Sequence, residues 1–153
     1  MTKEEKYKNV YRQIASVVEG ESDLIANMAN TAALLHETFG FWWTGFYRVD
    51  SSEELVLGPF QGPVACTRIK KGRGVCGTAW KTDTTQAVPD VELFPGHIAC
   101  SSESKSEIVV PLHSQDGNII GVLDIDSAEL NTFDETDSYW LERICSQVFS
   151  SQQ

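Results

Sequence analysis

SEIVVPLHSQDGNIIGVLDIDS, residues 106–127, reads as two strands joined by a turn. Asp116-Gly117 separates the apolar-rich runs 107–113 and 119–126, and Asp-Gly is the favoured pair for a two-residue type I′ hairpin loop. Pairing Gln115 with Asn118 sets the register, so that Glu107 faces Asp126 and Val109 faces Asp124. Side chains alternate along a strand, which sends Glu107, Asp124 and Asp126 to one face and Ile108, Val110, Leu123 and Ile125 to the other, toward a core. A bulge near Pro111, which has no N–H to donate, would shift this register.

Like charges placed opposite one another destabilise a strand pair, and more so away from water. Three carboxylates on one face therefore need solvent, a cation or a raised pKa. A solvated outer face is one reading. A hard-metal site is a second, although no calcium-loop pattern is present. The preferred reading is a pocket for an ammonium-bearing ligand, with a protonated carboxyl left over as an acid.

On either side of the hairpin the chain supplies helices and further strands. Thr2-Lys3-Glu4-Glu5 fits a capping box, and Tyr7, Val10, Tyr11, Ile14, Val17 and Val18 then recur at helical spacing up to Gly20. A second helix is expected from Ser22 as N-cap to about Phe39, with Leu24, Met28, Ala32 and Leu35 inward and Gly40 as its stop. FWWTGFYRV, residues 41–49, and residues 54–60 read as strands flanking a turn at Asp50-Ser51-Ser52. Residues 61–96 are irregular, with a Gly-opened helical turn at 74–80 and a short strand at 85–88, as in a lid or pocket wall. A last helix opens at Thr132-Phe133-Asp134-Glu135 and turns Trp140, Leu141, Ile144, Cys145, Val148 and Phe149 inward. The order α-α-β-β-loop-β-β-α predicts an α+β fold in one domain over residues 1–153: a central antiparallel sheet with the N- and C-terminal helices on one face.

Twelve Lys and Arg against 22 Asp and Glu give a net charge of −10, which repels phosphate backbones and anionic lipid, so neither nucleic acid nor a membrane is expected as a partner. The opening Met-Thr-Lys-Glu-Glu-Lys lacks the apolar run of a secretory signal, and a cytoplasmic location is expected, with a nuclear share where a nucleus exists. The four cysteines are then reduced thiols, ligands or redox catalysts before they are staples. Cys145, on a helical stripe, reads as a small buried hydrophobe. Cys66, Cys76 and Cys100 lie in or beside irregular segments without paired CxxC spacing, and His97 near Cys100 is a weak sign of zinc, so no metal is expected. Loop thiols suit sulfur redox chemistry, in which one thiolate attacks and a second condenses with the resulting sulfenic acid; three loop cysteines can equally be incidental. Trp43 and Tyr47 share a strand face, either as core or as an enclosure for an apolar ligand group.

GPFQGPVACTRI from Gly58, GRGVCGTAW from Gly72, VPDV from Val88, PGHIAC from Pro95, SKSEIVVP from Ser104 and GVLDIDS from Gly121, with Trp43-Thr-Gly-Phe-Tyr47, resemble the free methionine-(R)-sulfoxide reductases, a GAF-domain family. The likeness runs from about residue 5 to residue 149; Cys145 has no counterpart in the family's redox set, and Thr44 stands where alanine is expected. The resemblance implies a GAF-like fold and reduction of free L-methionine (R)-sulfoxide, with no bound cofactor and electrons from NADPH through thioredoxin or a similar dithiol protein. It implies Cys100 as the attacking thiolate, Cys66 as its resolving partner in a Cys66–Cys100 disulfide, and Cys76 in the same pocket as relay or substitute. It assigns Glu107, Asp124 and Asp126 to an acidic substrate pocket with Trp43 and Tyr47 as its aromatic wall, and suggests a homodimer. The alternatives are a non-catalytic GAF-type sensor of a small ligand and a redox-switched regulator.

Overall fold

The computed structural model describes residues 1–97 and 103–149. Helices α1 (Lys3–Val18) and α2 (Leu24–Phe39) lead into strands β1 (Trp43–Ser51), β2 (Glu54–Gln61) and β3 (Arg68–Lys70). Helix α3 (Gly74–Thr82) precedes β4 (Gln86–Val88), a 3₁₀ turn at Val91–Leu93, the hairpin β5 (Ser106–His113) and β6 (Ile119–Ser127), and α4 (Glu135–Ile144), which widens into a π turn at Cys145–Phe149. The strands form one sheet in the order β3-β2-β1-β6-β5-β4, with every neighbouring pair antiparallel. This is the α+β arrangement expected, with α1, α2 and α4 packed on one face through Tyr7, Ile14, Met28, Leu35 and Leu141 against Phe46, Ile108, Leu123 and Ile125.

The opposite face is covered too. Val75, Cys76, Ala79 and Trp80 of α3, with Val91, pack on Trp43, Tyr47, Leu55, Val109 and Val122. Strand β3 was not anticipated within the irregular stretch; at three residues it is too short to show an alternating pattern, and it pairs Arg68, Ile69 and Lys70 with the start of β2.

The helix starts differ in detail. Thr2 and Glu5 form the expected capping box. Asp23 rather than Ser22 caps α2, its carboxylate accepting from the Ala26 N–H, and the box at α4 is Asp134 with Asp137, two residues beyond the expected one. In both, an acceptor closer to the first helical turn takes the orphan N–H groups.

The hairpin keeps its predicted register by a different route. The loop has three residues, because Ser114 N–H donates to Asn118 O at 2.8 Å and Gly117 N–H to Ser114 O at 2.9 Å. Gly117 takes the left-handed conformation at φ 91°, and Asp116, whose carboxylate accepts from the Asn118 N–H at 3.0 Å, does not. The two-residue turn is thus replaced, and the residue added to the loop is offset where β6 bulges at Ile120, between the pairs Leu112–Gly121 and His113–Ile119. Beyond that bulge Pro111 faces Val122, Val109 faces Asp124 and Glu107 faces Asp126, so the two departures cancel.

Candidate active site

β1 lies beside β6, with Trp43 opposite Asp126, Gly45 opposite Asp124 and Tyr47 opposite Val122. Trp43, Tyr47, Glu107, Asp124 and Asp126 therefore share the sheet face covered by α3. A Cβ on Gly45 would stand 2.3 Å from the Phe60 Cβ and 2.7 Å from the Trp43 ring, so the bare glycine lets the indole lie along the sheet. Trp43 stacks on Phe60 at 5.2 Å, and its Nε1–H donates to Pro63 O at 3.0 Å. The Tyr47 hydroxyl donates to Cys66 O at 2.8 Å. The two aromatics thus tether the segment after β2 over a cleft of about 560 Å³, measured out to its open mouth.

The floor of this cleft is acidic and mostly buried. Glu107 and Asp124 are buried, and Asp126 is half-buried. These positions overturn the solvated-face reading. Burial pushes the Glu107 carboxyl well above its ordinary range, and the charges of Asp124 and Asp126 add to the shift. Its hydrogen bonds to both aspartates favour the proton on Glu107. Burial and the charge of Asp124 also raise Asp126 well above its usual value, opposed by the Ser104 hydroxyl, which donates to Asp126 Oδ1 at 2.9 Å. Asp124 is raised by burial, while hydrogen bonds from Glu107 and the Cys76 thiol pull it back. Its Oδ1 has no hydrogen-bond partner among the described residues.

Cys76 lies in the first turn of α3, and burial together with the charges of Asp124 and Glu107 pushes its thiol well above the ordinary range. A neutral thiol is a weak nucleophile. Its sulfur and one oxygen each from Glu107 and Asp124 lie within 4.8 Å of one another, a grouping able to hold a metal ion. Chain spacing conceals it, because the three positions meet only through the packing of α3 on β5 and β6.

Cys66, half-buried, packs against the apolar cluster that includes Trp43, Tyr47 and Cys76, and its neighbours Val64 and Ala65 line the cleft. Cys100 lies outside the described residues, and with it one end of the expected Cys66–Cys100 pair. Cys145 is buried among the apolar side chains of the opposite face, as its helical stripe predicts. Thr44 also points to that face, where its hydroxyl meets His36 Nδ1 at 3.1 Å, so this departure from the family pattern leaves the cleft untouched. Trp42, Arg73, His97 and Ser104 line the cleft without having been anticipated. Arg73 had a visible signal: it precedes the glycine that opens α3, and it is the N-cap of that helix.

Residues 23–150 match the GAF domain family model. The GAF domain-containing protein A of Dictyostelium discoideum is 64% identical over 143 residues, spanning 94% of this chain and 90% of that protein. The free methionine-R-sulfoxide reductase of Escherichia coli is 46% identical over 97% of this chain and 89% of its own length. The crystal structure of free methionine-R-sulfoxide reductase from Neisseria meningitidis in complex with its substrate superposes with a TM-score of 0.94 at 58% identity, covering 97% of this chain and 89% of that one. A conserved scaffold at these identities, carrying the acid-floored cleft described above, places the chain in the free methionine-(R)-sulfoxide reductase family of GAF domains.

Proposed function

We propose that this chain reduces free L-methionine (R)-sulfoxide to L-methionine. The observation that carries the reading is the trio Glu107, Asp124 and Asp126, gathered in the cleft that Trp43 and Tyr47 also line, where burial raises their carboxyls above the ordinary range. A sulfoxide oxygen leaves only when protonated, and a carboxyl that holds its proton near neutral pH can supply it. The hydrogen bonds that favour the proton on Glu107 support that residue as the donor.

In the proposed reaction the Cys100 thiolate attacks the substrate sulfur and forms an S–S bond as the protonated oxygen leaves as water; a water molecule then attacks the Cys100 sulfur, breaking that S–S bond so that methionine departs and Cys100 is left as a sulfenic acid. Cys66 then condenses with the sulfenic acid, forming the Cys66–Cys100 disulfide and releasing water. A thioredoxin-like dithiol protein, itself reduced by NADPH through its reductase, reopens the disulfide by exchange. The raised Cys76 thiol supports a secondary role for it, as relay or proton partner of Asp124.

Trp43 and Tyr47 would enclose the S-methyl group. Asp124 and Asp126 would hold the α-ammonium and Arg73 at the rim the α-carboxylate; peptide-bound methionine sulfoxide lacks both charges and would leave a buried carboxylate unpaired. We place the enzyme in the cytoplasm as a homodimer. Among the described residues no helix is long and apolar enough to cross a membrane.

The test is an assay of free R, free S and peptide-bound sulfoxide side by side, with excess dithiothreitol. Repeated methionine formation from the free R epimer alone is expected, and its absence would leave a ligand sensor or redox switch as the better reading. Cys100→Ser is expected to abolish turnover; sustained methionine release by that variant would move the attack to another thiol.

A further inference from the structure

The cleft floor has the composition of a thiophilic metal site. Cys76, Glu107 and Asp124 are buried side chains from three different elements, and one ligand atom from each lies within 4.8 Å of the others. Acidic clusters form on many proteins without binding anything, but a second observation points to a ligand here. Asp124 Oδ1 is buried in this cleft and has no hydrogen-bond partner among the described residues. An acceptor held dry and unpaired costs about 1–3 kcal/mol and is relieved by any cation that reaches it.

We propose that these three residues bind Zn²⁺, and that the bound ion occludes the cleft. The donor set selects the metal. Zinc bonds to thiolate at about 2.3 Å and to carboxylate oxygen at about 2.0–2.2 Å, so donors at the corners of a tetrahedron sit about 3.3–3.7 Å apart. The three ligand atoms, all within 4.8 Å of one another, reach that spacing by closing in by about 1 Å at most. Calcium and magnesium call for six or more oxygens and reject sulfur, which disfavours both. Three protein ligands leave a fourth position directed into the cleft, where water or a small ligand completes the tetrahedron. Binding takes Cys76 as thiolate and releases its proton. Zinc on these residues competes with any substrate that uses Glu107 or Asp124, so an enzyme working at this cleft is inhibited reversibly.

The experiment uses the full chain, reduced and then freed of reductant, with Zn²⁺ or Co²⁺ alone as the probe. One zinc per chain is expected in competition with a chromophoric chelator. Cobalt is expected to give a near-ultraviolet thiolate charge-transfer band with the intense visible bands of tetrahedral coordination. The band should survive in the Cys66→Ser/Cys100→Ser double variant and vanish in Cys76→Ser. Glu107→Gln and Asp124→Asn, which keep the thiol, should each weaken zinc binding about tenfold or more. A band that persists in Cys76→Ser or disappears in the double variant would assign the metal to the other cysteines and overturn the site, as would wild-type protein that binds neither ion. These readouts require no turnover, so they stand apart from the reductase assay.

Discussion

Buried carboxylates occur on both sides of the sheet, and the two groups are built oppositely. On the helical side Asp137, 1% exposed at the start of α4, accepts from Lys3 Nζ at 2.7 Å, from the Tyr7 hydroxyl at 2.5 Å and from the Asp134 N–H at 2.9 Å. Each of its oxygens meets at least one donor, one of them cationic. Burial opposes the Lys3 charge, yet the hydrogen bond and charge of Asp137 win and raise the lysine. On the cleft side Glu107, Asp124 and Asp126 share protons among themselves, Ser104 and Cys76, with no lysine or arginine bonded to them among the described residues. Burial of an acid is thus not the mark of function here. A buried acid without a cation is.

If that distinction is right, conservative changes in the two groups separate activity from stability. The largest effect falls on chemistry. Asp126→Asn and Glu107→Gln are expected to slow single-turnover methionine release by about 10²-fold or more, with folding intact. A rate within twofold of wild type would remove these acids from the proton path. Asp137→Ala should do the reverse. It strands Lys3 and the buried Tyr7 hydroxyl, at a cost of about 2–3 kcal/mol in urea unfolding, while activity per folded molecule holds. Equal stability of variant and parent would show that the contact between α1 and α4 rests on apolar packing alone.

Arg73 is the cation nearest to bridging the two patterns, since it lines the acid cleft but stays exposed at its rim. Arg73→Met is expected to raise KM for the free sulfoxide about tenfold, with kcat little changed, and to erase the preference for the free acid over its amide. Lysine at that position should restore part of the preference, through charge without the planar fork. A variant that still discriminates acid from amide would free Arg73 from any part in recognition.

Much of this arrangement can be read from periodicity. The face shared by Glu107, Asp124 and Asp126 follows from strand alternation and one hairpin, and it survived a wrong turn type because the Ile120 bulge offset the longer loop. The stripes of α1 and α2 are likewise visible, since each buries one side against the sheet. What periodicity cannot reveal is how α3 closes the other face. Whether three acids face water or protein depends on a nine-residue helix within a stretch of glycines and prolines. Pocket-lining Arg73, His97 and Ser104 come from segments without repeat, where periodicity assigns no facing and irregularity marks only the stretch around Arg73 as a pocket wall.

The smallest expected effect concerns the pH dependence of stability set by the cleft acids. Glu107 is held in the folded chain well above its ordinary 4.5, chiefly by burial. Below that ordinary value the group is protonated folded or unfolded and costs nothing. As pH rises past it the unfolded chain releases the proton and the folded chain keeps it, so stability falls until the raised folded value is reached. Glu107→Gln removes this slope. The variant should match wild type near pH 5 and exceed it progressively toward pH 8, by about 1 kcal/mol or some 2–4 °C in Tm. Thermal unfolding of Glu107→Gln and wild type at pH 5, 6.5 and 8 measures that slope. A Glu107→Gln advantage that shrinks with pH would mean that the folded protein stabilises the carboxylate, and the cleft would then already hold its charge without a ligand.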